Sequence, residues 1–393
     1  MRVLIVRTAC RGVASMAGFY NSQELGLARA LSRLGHTCDV VLFGGKEEHV
    51  EEVRHDMGDG RTVLTKVYYL KGLALYDTGL FFGLNALAKG YDILQVAEYD
   101  QLQSWLLARR FKEKVVVYHG PYFSAFNKRY NLKCAVADKF FIPGYRRWET
   151  PFIAKSGLAA DFLMSKGLAD VTEIGVGLDT AQLTSGAQLS EDGAKLVAAL
   201  EEEKSNGVRR LLYIGRIEPR RNPDILVNLV HLLLAEGVNV SLTVIGRGDE
   251  AYVSEWRSGI EKLGISSRIH YVPGLPNACL RDIYALCEVF LLPTSFEIFG
   301  MVLLEAMYYG LVPVTTVNGG SSTLVEQGVT GIVVDSLCVD DWSRAISGLL
   351  ANNSALVSMG EAATRRIREG FTWDSLAPKF VSEYERICMR NAR

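Results

Sequence analysis

The chain has 393 residues, 49% of them apolar, with 43 basic against 44 acidic side chains. One hydrophobic core rarely organises that length, so two domains with a cleft between them are expected, and the balanced composition excludes a long disordered or low-complexity chain. No run approaches the roughly twenty apolar residues that span a bilayer, which points to a soluble or peripheral protein. The seven cysteines, Cys10, Cys38, Cys134, Cys279, Cys287, Cys338 and Cys388, form neither a C-x-x-C pair nor a metal-type spacing. Reduced, mostly buried thiols of a cytoplasmic protein are expected.

The opening Met1-Arg2-Val3-Leu4-Ile5-Val6 is too short for a targeting segment and lacks a small-residue cleavage site, so it reads as a first strand. Further short runs rich in Val, Ile and Leu follow at residues 38–42, 67–70, 93–96, 115–118 and 171–176, separated by amphipathic segments. That is the pattern of a parallel sheet buried under helices. It stops near 179–209, where Ser, Gly and the Glu201-Glu202-Glu203-Lys204 cluster accompany only a helical patch at 196–200. A first domain over 1–180 and a linker region over 181–208 follow. Runs at 211–214, 242–245, 269–272, 289–292, 312–316 and 332–334 predict a second doubly wound domain over 209–370. The last segment carries Phe380, Tyr384 and Ile387 at helical spacing, with Pro378 kinking it early, and residues 371–393 are expected to cross back to the first domain.

In the second half, Phe296-Glu297-Ile298-Phe299-Gly300 follows the fourth strand, and Glu305 stands eight positions after Glu297, an E-x7-E arrangement. Eight positions are about two helical turns, so along a continuous helix both carboxylates share one wall, suited to a sugar hydroxyl and a ribose. Gly300 lets a ligand approach the backbone, and the N–H groups from Phe299 to Met301 stand at a helix start suited to an anion. Two glutamates at this spacing also occur by coincidence. Upstream, Tyr213-Ile214-Gly215-Arg216-Ile217-Glu218-Pro219-Arg220-Arg221-Asn222 places three arginines at the carboxyl end of a parallel strand, where such folds bind ligands. Arginine is a permanent, forked phosphate ligand, although a lone Arg-Arg pair is usually a solvated loop. Gly246-Arg247-Gly248 with Ala251 satisfies G-x-G-x-x-A, yet the acidic ribose partner of a dinucleotide site is missing around 266–272. Close access of a nucleotide to the backbone accounts better for these glycines.

Taken in order, Gly215-Arg216 with Arg221, Gly246-Arg247-Gly248, Pro293-Thr294-Ser295 before Glu297, Glu305, Gly319-Gly320 and Gly328-Val329-Thr330-Gly331 closely resemble the nucleotide-sugar half of glycosyltransferase family 4. The resemblance implies the GT-B fold: two Rossmann-like α/β domains facing a cleft, with a C-terminal helix crossing back. It also implies retaining transfer of a sugar from a nucleoside-diphosphate donor, UDP-sugar favoured and GDP-sugar possible. Carried over, Arg216 and Arg221 hold the diphosphate, Glu297 contacts sugar hydroxyls and Glu305 binds ribose. Ile298, Phe299, Gly300 and Met301, with Gly215, Gly246, Arg247 and Gly248, complete the donor set. Two positions depart from the family pattern. Its second basic residue is usually Lys followed by Gly, whereas Arg221 precedes Asn222 and competes with Arg220, and Thr323 stands where Glu is common.

Over the first half the resemblance is looser. Tyr118-His119-Gly120 matches the family's His-Gly strand end, which puts His119 on the donor sugar. Gly18 retains the first glycine of a Gly-Gly-x-Glu loop, and Phe19, Tyr20 and Asn21 replace the rest. These three, with Glu98 and Asp100 after another strand, are acceptor-side candidates, although acids after strands are also ordinary helix caps. Between residues 109 and 148, ten basic residues stand against two acidic ones, interleaved with Phe123, Phe126, Tyr130, Phe140, Phe141, Tyr145 and Trp148. Such a surface suits an anionic membrane or a lipid-linked acceptor, the alternative being a solvated rim over core aromatics; no nucleic-acid motif accompanies it. The sequence holds no D-x-D triplet, so a metal-independent transfer without cofactor is expected, the arginines neutralising the departing diphosphate. The acceptor class implied is a glycan or lipid-linked glycan of cell-surface polysaccharide synthesis. The rivals are a noncatalytic nucleotide-sugar-binding subunit and a phosphorylase or epimerase.

Overall fold

The structure is a computed structural model that describes residues 1–10, 22–57, 60–75, 77–125, 127–183 and 189–390. The chain divides into two compact units, Met1–Asp179 with Phe371–Arg393, and Thr180–Gly370.

In the first unit the strands are β1 (Arg2–Val6), β2 (Thr37–Gly45), β3 (His49–Asp56), β4 (Thr62–Leu75), β5 (Thr78–Phe81), β6 (Ile93–Ala97), β7 (Val115–His119), β8 (Phe152–Ala154) and β9 (Val171–Glu173). Their order is β3-β4-β2-β1-β6-β7-β8-β9, with β5 paired to β4. The central strands run parallel, with Val3 opposite both Cys38 and Ile93. They are covered on both faces, which is why β1 and β7 read as unbroken apolar runs. Three strands escaped the sequence reading. The edge strand β3, antiparallel to β4, is mostly polar and charged, with Val50 and Val53 its apolar residues, and stays largely exposed, as edge strands do to resist further pairing. β5, also antiparallel, and β8 have only four and three residues.

Ser22 caps the helix Gln23–Arg33, its Oγ accepting from Leu25 N at 3.4 Å. A Cβ on Gly26 would collide with the Trp373 indole, so glycine is what admits the C-terminal helix here. That helix, Trp373–Arg390, holds Pro378 in its second turn and buries Phe380, Tyr384 and Ile387. Phe380 meets Tyr118 edge-on at 5.6 Å, and Tyr384 Oη donates to Gln95 Oε1 at 2.6 Å. The returning chain is therefore part of the first unit's core. Leu178 N donates to Phe371 O and Trp373 N to Leu178 O, at 2.8 and 3.1 Å. Buried Arg29 holds Asp179 at 3.1 Å beside this junction.

In the second unit the strands are β10 (Arg209–Ile214), β11 (Val240–Ile245), β12 (Ile269–Val272), β13 (Val289–Leu292), β14 (Val312–Thr315) and β15 (Ile332–Val333). All are parallel, in the order β12-β11-β10-β13-β14-β15. Neighbours β10 and β13 are where the order reverses, the switch point outside whose carboxyl ends ligands bind in such sheets. Residues given to a linker on composition carry the helix Glu191–Ser205, which packs on the helix Leu280–Leu286 and buries Leu196 and Leu200. No cysteine among the described residues is bonded to another, and four of the seven are buried. Among those residues no helix is long and apolar enough to cross a membrane.

Candidate functional site

The loop after β10 and the loop after β13 are the two that leave the switch point, and they are stitched together. After Gly215 and Arg216 the chain makes one short turn, Pro219–Arg221, and enters the helix Pro223–Ala235 through Asn222. Asn222 stands at φ 51°, in the left-handed region, which explains why glycine is the usual residue there and why Asn, the side chain most tolerant of that region, replaces it. Its Nδ2 donates to Pro293 O at 2.6 Å and to Ser295 Oγ at 2.9 Å, while Ser295 N donates to Arg220 O at 3.1 Å. Asn222→Gly keeps the backbone but loses two hydrogen bonds; Asn222→Ala loses both and adds strain. Thermal melts should show the alanine variant less stable than the glycine variant by on the order of 1 kcal/mol, and the reverse order would refute this account.

Glu218 gathers the arginines. Its carboxylate lies 3.6 Å from Arg216 Nε, 2.7 Å from Arg220 Nη2 and 3.4 Å from Arg221 Nε. Arg220 and Arg221, the competing pair, reach different partners. Arg221 Nη2 meets Glu297 Oε2 at 3.0 Å, whereas Arg220 Nη1 donates to Phe296 O at 3.2 Å. Arg216 differs from both, its side chain 71% exposed. The loop thus presents one outward guanidinium beside a fixed arginine–glutamate pair.

Glu297 does not share a helix with Glu305, so the condition of a continuous helix between them is not met, while the helix does start at the N–H groups expected around Phe299 to Met301. The helix is Met301–Tyr308, entered through Gly300 at φ 79°, so only Glu305 is helical and Glu297 sits in the preceding loop. Gly300 is required there because the positive φ is open to glycine at no steric cost. The loop is pinned from behind: a Cβ on Gly319 would strike Ile298 O and one on Gly320 would strike Phe299 O, while Gly319 N donates to Glu297 O at 3.0 Å. The Gly-Gly pair is therefore the bed on which the Glu297 loop lies. Glu297 Oε1 accepts from Ile298 N at 3.2 Å. Glu305 is buried and accepts from Tyr284 Oη at 3.0 Å, and Tyr284 stacks on Tyr309 at 5.2 Å.

Gly246 and Gly248 have a nearer reason than a ligand. A Cβ on Gly246 would collide with Gly215 O, and one on Gly248 with Ile217 O. The loops after β10 and β11 pack backbone on backbone, with Ile217 N donating to Arg247 O at 2.9 Å. Arg247 and Gly248 line a cavity of about 660 Å³ with Arg257, Tyr271 and Pro273, which none of Arg216, Arg221, Glu297 or Glu305 lines.

In the first unit, His119 ends β7 fully buried, its Nδ1 2.7 Å from Glu98 Oε2. Glu98 follows β6 at φ 58°, an unusual backbone for a glutamate. Its other oxygen meets Lys155 Nζ at 3.1 Å, and Gly120 N donates to Oε2 at 3.0 Å. Burial would raise the Glu98 carboxyl, but Lys155, His119 and the Gly120 N–H together hold it at about 2. It is a carboxylate fixed against the histidine. Asp100, the other acid of that loop, is buried and paired with Lys133 at 2.7 Å. Gly18, Phe19, Tyr20 and Asn21 lie outside the described residues.

Sequence reading missed the partner role of Glu218, although it stands among the arginines, and those of Tyr284 and Lys155, which reach their glutamates from 21 and 57 positions away.

Compared with known proteins, the sequence pattern of glycosyl transferases group 1 matches residues 200–366, and that of Glycosyltransferase Family 4 matches residues 25–182. The chain belongs to glycosyltransferase family 4. Among curated relatives, a D-inositol 3-phosphate glycosyltransferase of Rhodococcus opacus is 28% identical over 59% of this chain and 52% of its own length. One of Nocardia farcinica is 30% identical over 51% and 46%. The family 4 chain thus spans about half the length of the curated relatives it matches. Among solved structures, sucrose-phosphate synthase from Thermosynechococcus elongatus superposes with a TM-score of 0.70 at 16% identity, covering 98% of this chain and 99% of its own. Anabaena HepE in complex with UDP-glucose does so at 0.70 and 17%, covering 98% and 100%. At such identity the likeness shows the fold, GT-B.

Proposed function

We propose that this family 4 chain is a retaining glycosyltransferase that moves a sugar from a nucleoside-diphosphate donor, UDP-sugar favoured, to a hydroxyl acceptor. The observation that carries the reading is the set at the β10–β13 switch point: an outward Arg216, Arg221 fixed on Glu297 at 3.0 Å, and Glu305 on the adjoining helix. Two guanidinium groups beside a helix start suit a diphosphate. Glu297 suits sugar hydroxyls and Glu305 a ribose. In the first unit His119, oriented by Glu98, is assigned to the sugar. UDP is favoured because HepE is described in complex with UDP and with UDP-glucose. The acceptor proposed is a glycan or lipid-linked glycan.

Transfer with retention is written as a same-face displacement. The acceptor oxygen bonds to the anomeric carbon as the bond to the β-phosphate oxygen breaks, and that departing oxygen takes the acceptor proton. Arg216 and Arg221 stabilise the charge growing on the diphosphate. Since the sequence has no D-x-D triplet, activity is expected to persist in EDTA; loss that magnesium or manganese restores would refute this.

The deciding experiment is thermal stabilisation across UDP, GDP, ADP and their sugars, because a ligand bound to the folded chain raises its apparent stability by about 2.7 kcal/mol at a hundredfold excess over Kd. UDP or a UDP-sugar should give the largest shift, and incubation of that sugar with an acceptor should release free nucleotide. No shift from any of them would remove the reading. Stabilisation without turnover on any glycan would favour a nucleotide-sugar-binding subunit.

A further inference from the structure

The helix Lys128–Phe140 has two apolar sides. Cys134 and Ala137 face the first unit's core, with Tyr130 packed beside them. On the other side Leu132, Val136 and Phe140 recur every four residues and are 69%, 50% and 60% exposed, and Phe123 just before the helix is 64% exposed. Steps of four stack side chains into one row along a helix. The row belongs to no core cluster among the described residues. It corrects the interleaved-aromatic expectation, for Tyr145 is buried, Tyr130, Phe141 and Trp148 are half-buried against the core, and Phe126 lies outside the described residues. Two of the four exposed apolar groups, Leu132 and Val136, are ones that a search for aromatics passes over.

The charges beside this row are basic. Lys128, Arg129 and Lys139 are exposed and fall, at 100° per residue, within the same half of the helix as Leu132, Val136 and Phe140. Lys139 Nζ lies 5.7 Å from the Phe140 ring. The helix's acid, Asp138, is turned toward Lys166 Nζ at 2.6 Å and accepts from Tyr99 Oη at 2.9 Å, so its charge is compensated within the fold. The neighbouring helices Leu102–Arg110 and Ile142–Arg147 pack together through Trp105, stacked on Phe141 at 5.5 Å and beside Trp148 at 5.4 Å. They add exposed Arg109, Arg110, Arg146 and Arg147.

We infer that this face of the first unit docks on an anionic lipid surface, Leu132, Val136 and Phe140 entering among the headgroups while Lys128, Arg129 and Lys139 meet lipid phosphates. A helix with an apolar row flanked by Lys and Arg is the form that lies in a membrane interface, and each basic residue adds attraction that salt screens. Nucleic acid would engage the charges but leave the central row in water. The inference does not depend on the proposed sugar transfer.

The test is pelleting of the full chain with vesicles of phosphatidylcholine alone and of equimolar phosphatidylcholine and phosphatidylglycerol, at low and high salt. Wild type should bind the anionic vesicles at least about tenfold more tightly than the neutral ones and leave them as salt rises. The triple variants K128E/R129E/K139E and L132S/V136S/F140S replace exposed side chains, so their melting should match wild type. Each should weaken vesicle binding by about tenfold or more. Binding to neither vesicle, equal binding to both, or unchanged binding by either folded triple variant overturns the inference. So does a wild-type dimer in sedimentation that the serine variant turns into monomer, because a second copy would then cover the row.

Discussion

Arg221→Ala is expected to lower kcat by about a hundredfold, and Glu297→Ala by a similar factor, with the double variant not much worse than the worse single. A charge-assisted contact made to charge that develops in the transition state is worth about 3 kcal/mol when nothing replaces it. Arg221 and Glu297 touch at 3.0 Å, so each single change also releases the other's side chain. Groups that act as a unit are strongly non-additive, and a cycle measures the coupling directly. Arg220 offers little rescue because its guanidinium is committed to Glu218 and to Phe296 O. Arg221→Lys keeps the charge but not the fork, so it can satisfy Glu297 or a phosphate but not both. It should fall between wild type and alanine, about tenfold down. Arg216→Ala should cost as much in kcat but show no coupling to Glu297. The measurement is kcat and KM for the donor identified by thermal shift. A double variant that multiplies the two single losses would show that the pair does not work as a unit.

Glu98→Gln is expected to lower kcat by about tenfold to a hundredfold through His119, and to change the acid stability of the chain. Glu98 is the carboxylate partner of a buried histidine, and such a partner fixes the ring's orientation and tautomer. The glutamine has nearly the same shape but lacks the charge, so a purely spatial role would leave the activity in place. Nitrogen chemical shifts of the His119 ring should change with the substitution, a readout that simple loosening of the fold would not give. The folded carboxyl lies at about 2 against an ordinary value of 4.5. A depressed carboxyl stabilises the fold above its unfolded value, and that contribution disappears as pH falls from about 4.5 toward 2. Wild type should therefore lose stability over that window more steeply than Glu98→Gln, in melts taken at stepped pH. Parallel curves would show that Lys155, His119 and the Gly120 N–H do not hold the carboxylate as the geometry indicates.

The sequence by itself determined the second unit almost strand for strand. Buried parallel strands must be apolar on both faces, so β10 to β15 stand out as runs, and the arginine and glutamate loops follow them at places that a doubly wound sheet reserves for ligands. Edge strand β3 stayed hidden because one exposed face lets it be charged, and β8 because three residues make no pattern. Spacing left open whether Glu297 is helical for a related reason: a separation of eight says nothing about where a helix begins, and Gly300 starts it after that glutamate. What only the tertiary structure decided are the pairings across long separations. Arg221 rather than Arg220 reaches Glu297, Tyr284 stands on Glu305, and Lys155 with Glu98 closes on His119. It also decided that Gly246, Gly248, Gly319 and Gly320 make room for neighbouring backbone, because close approach is a property of two segments and a single sequence position records only that a side chain is missing.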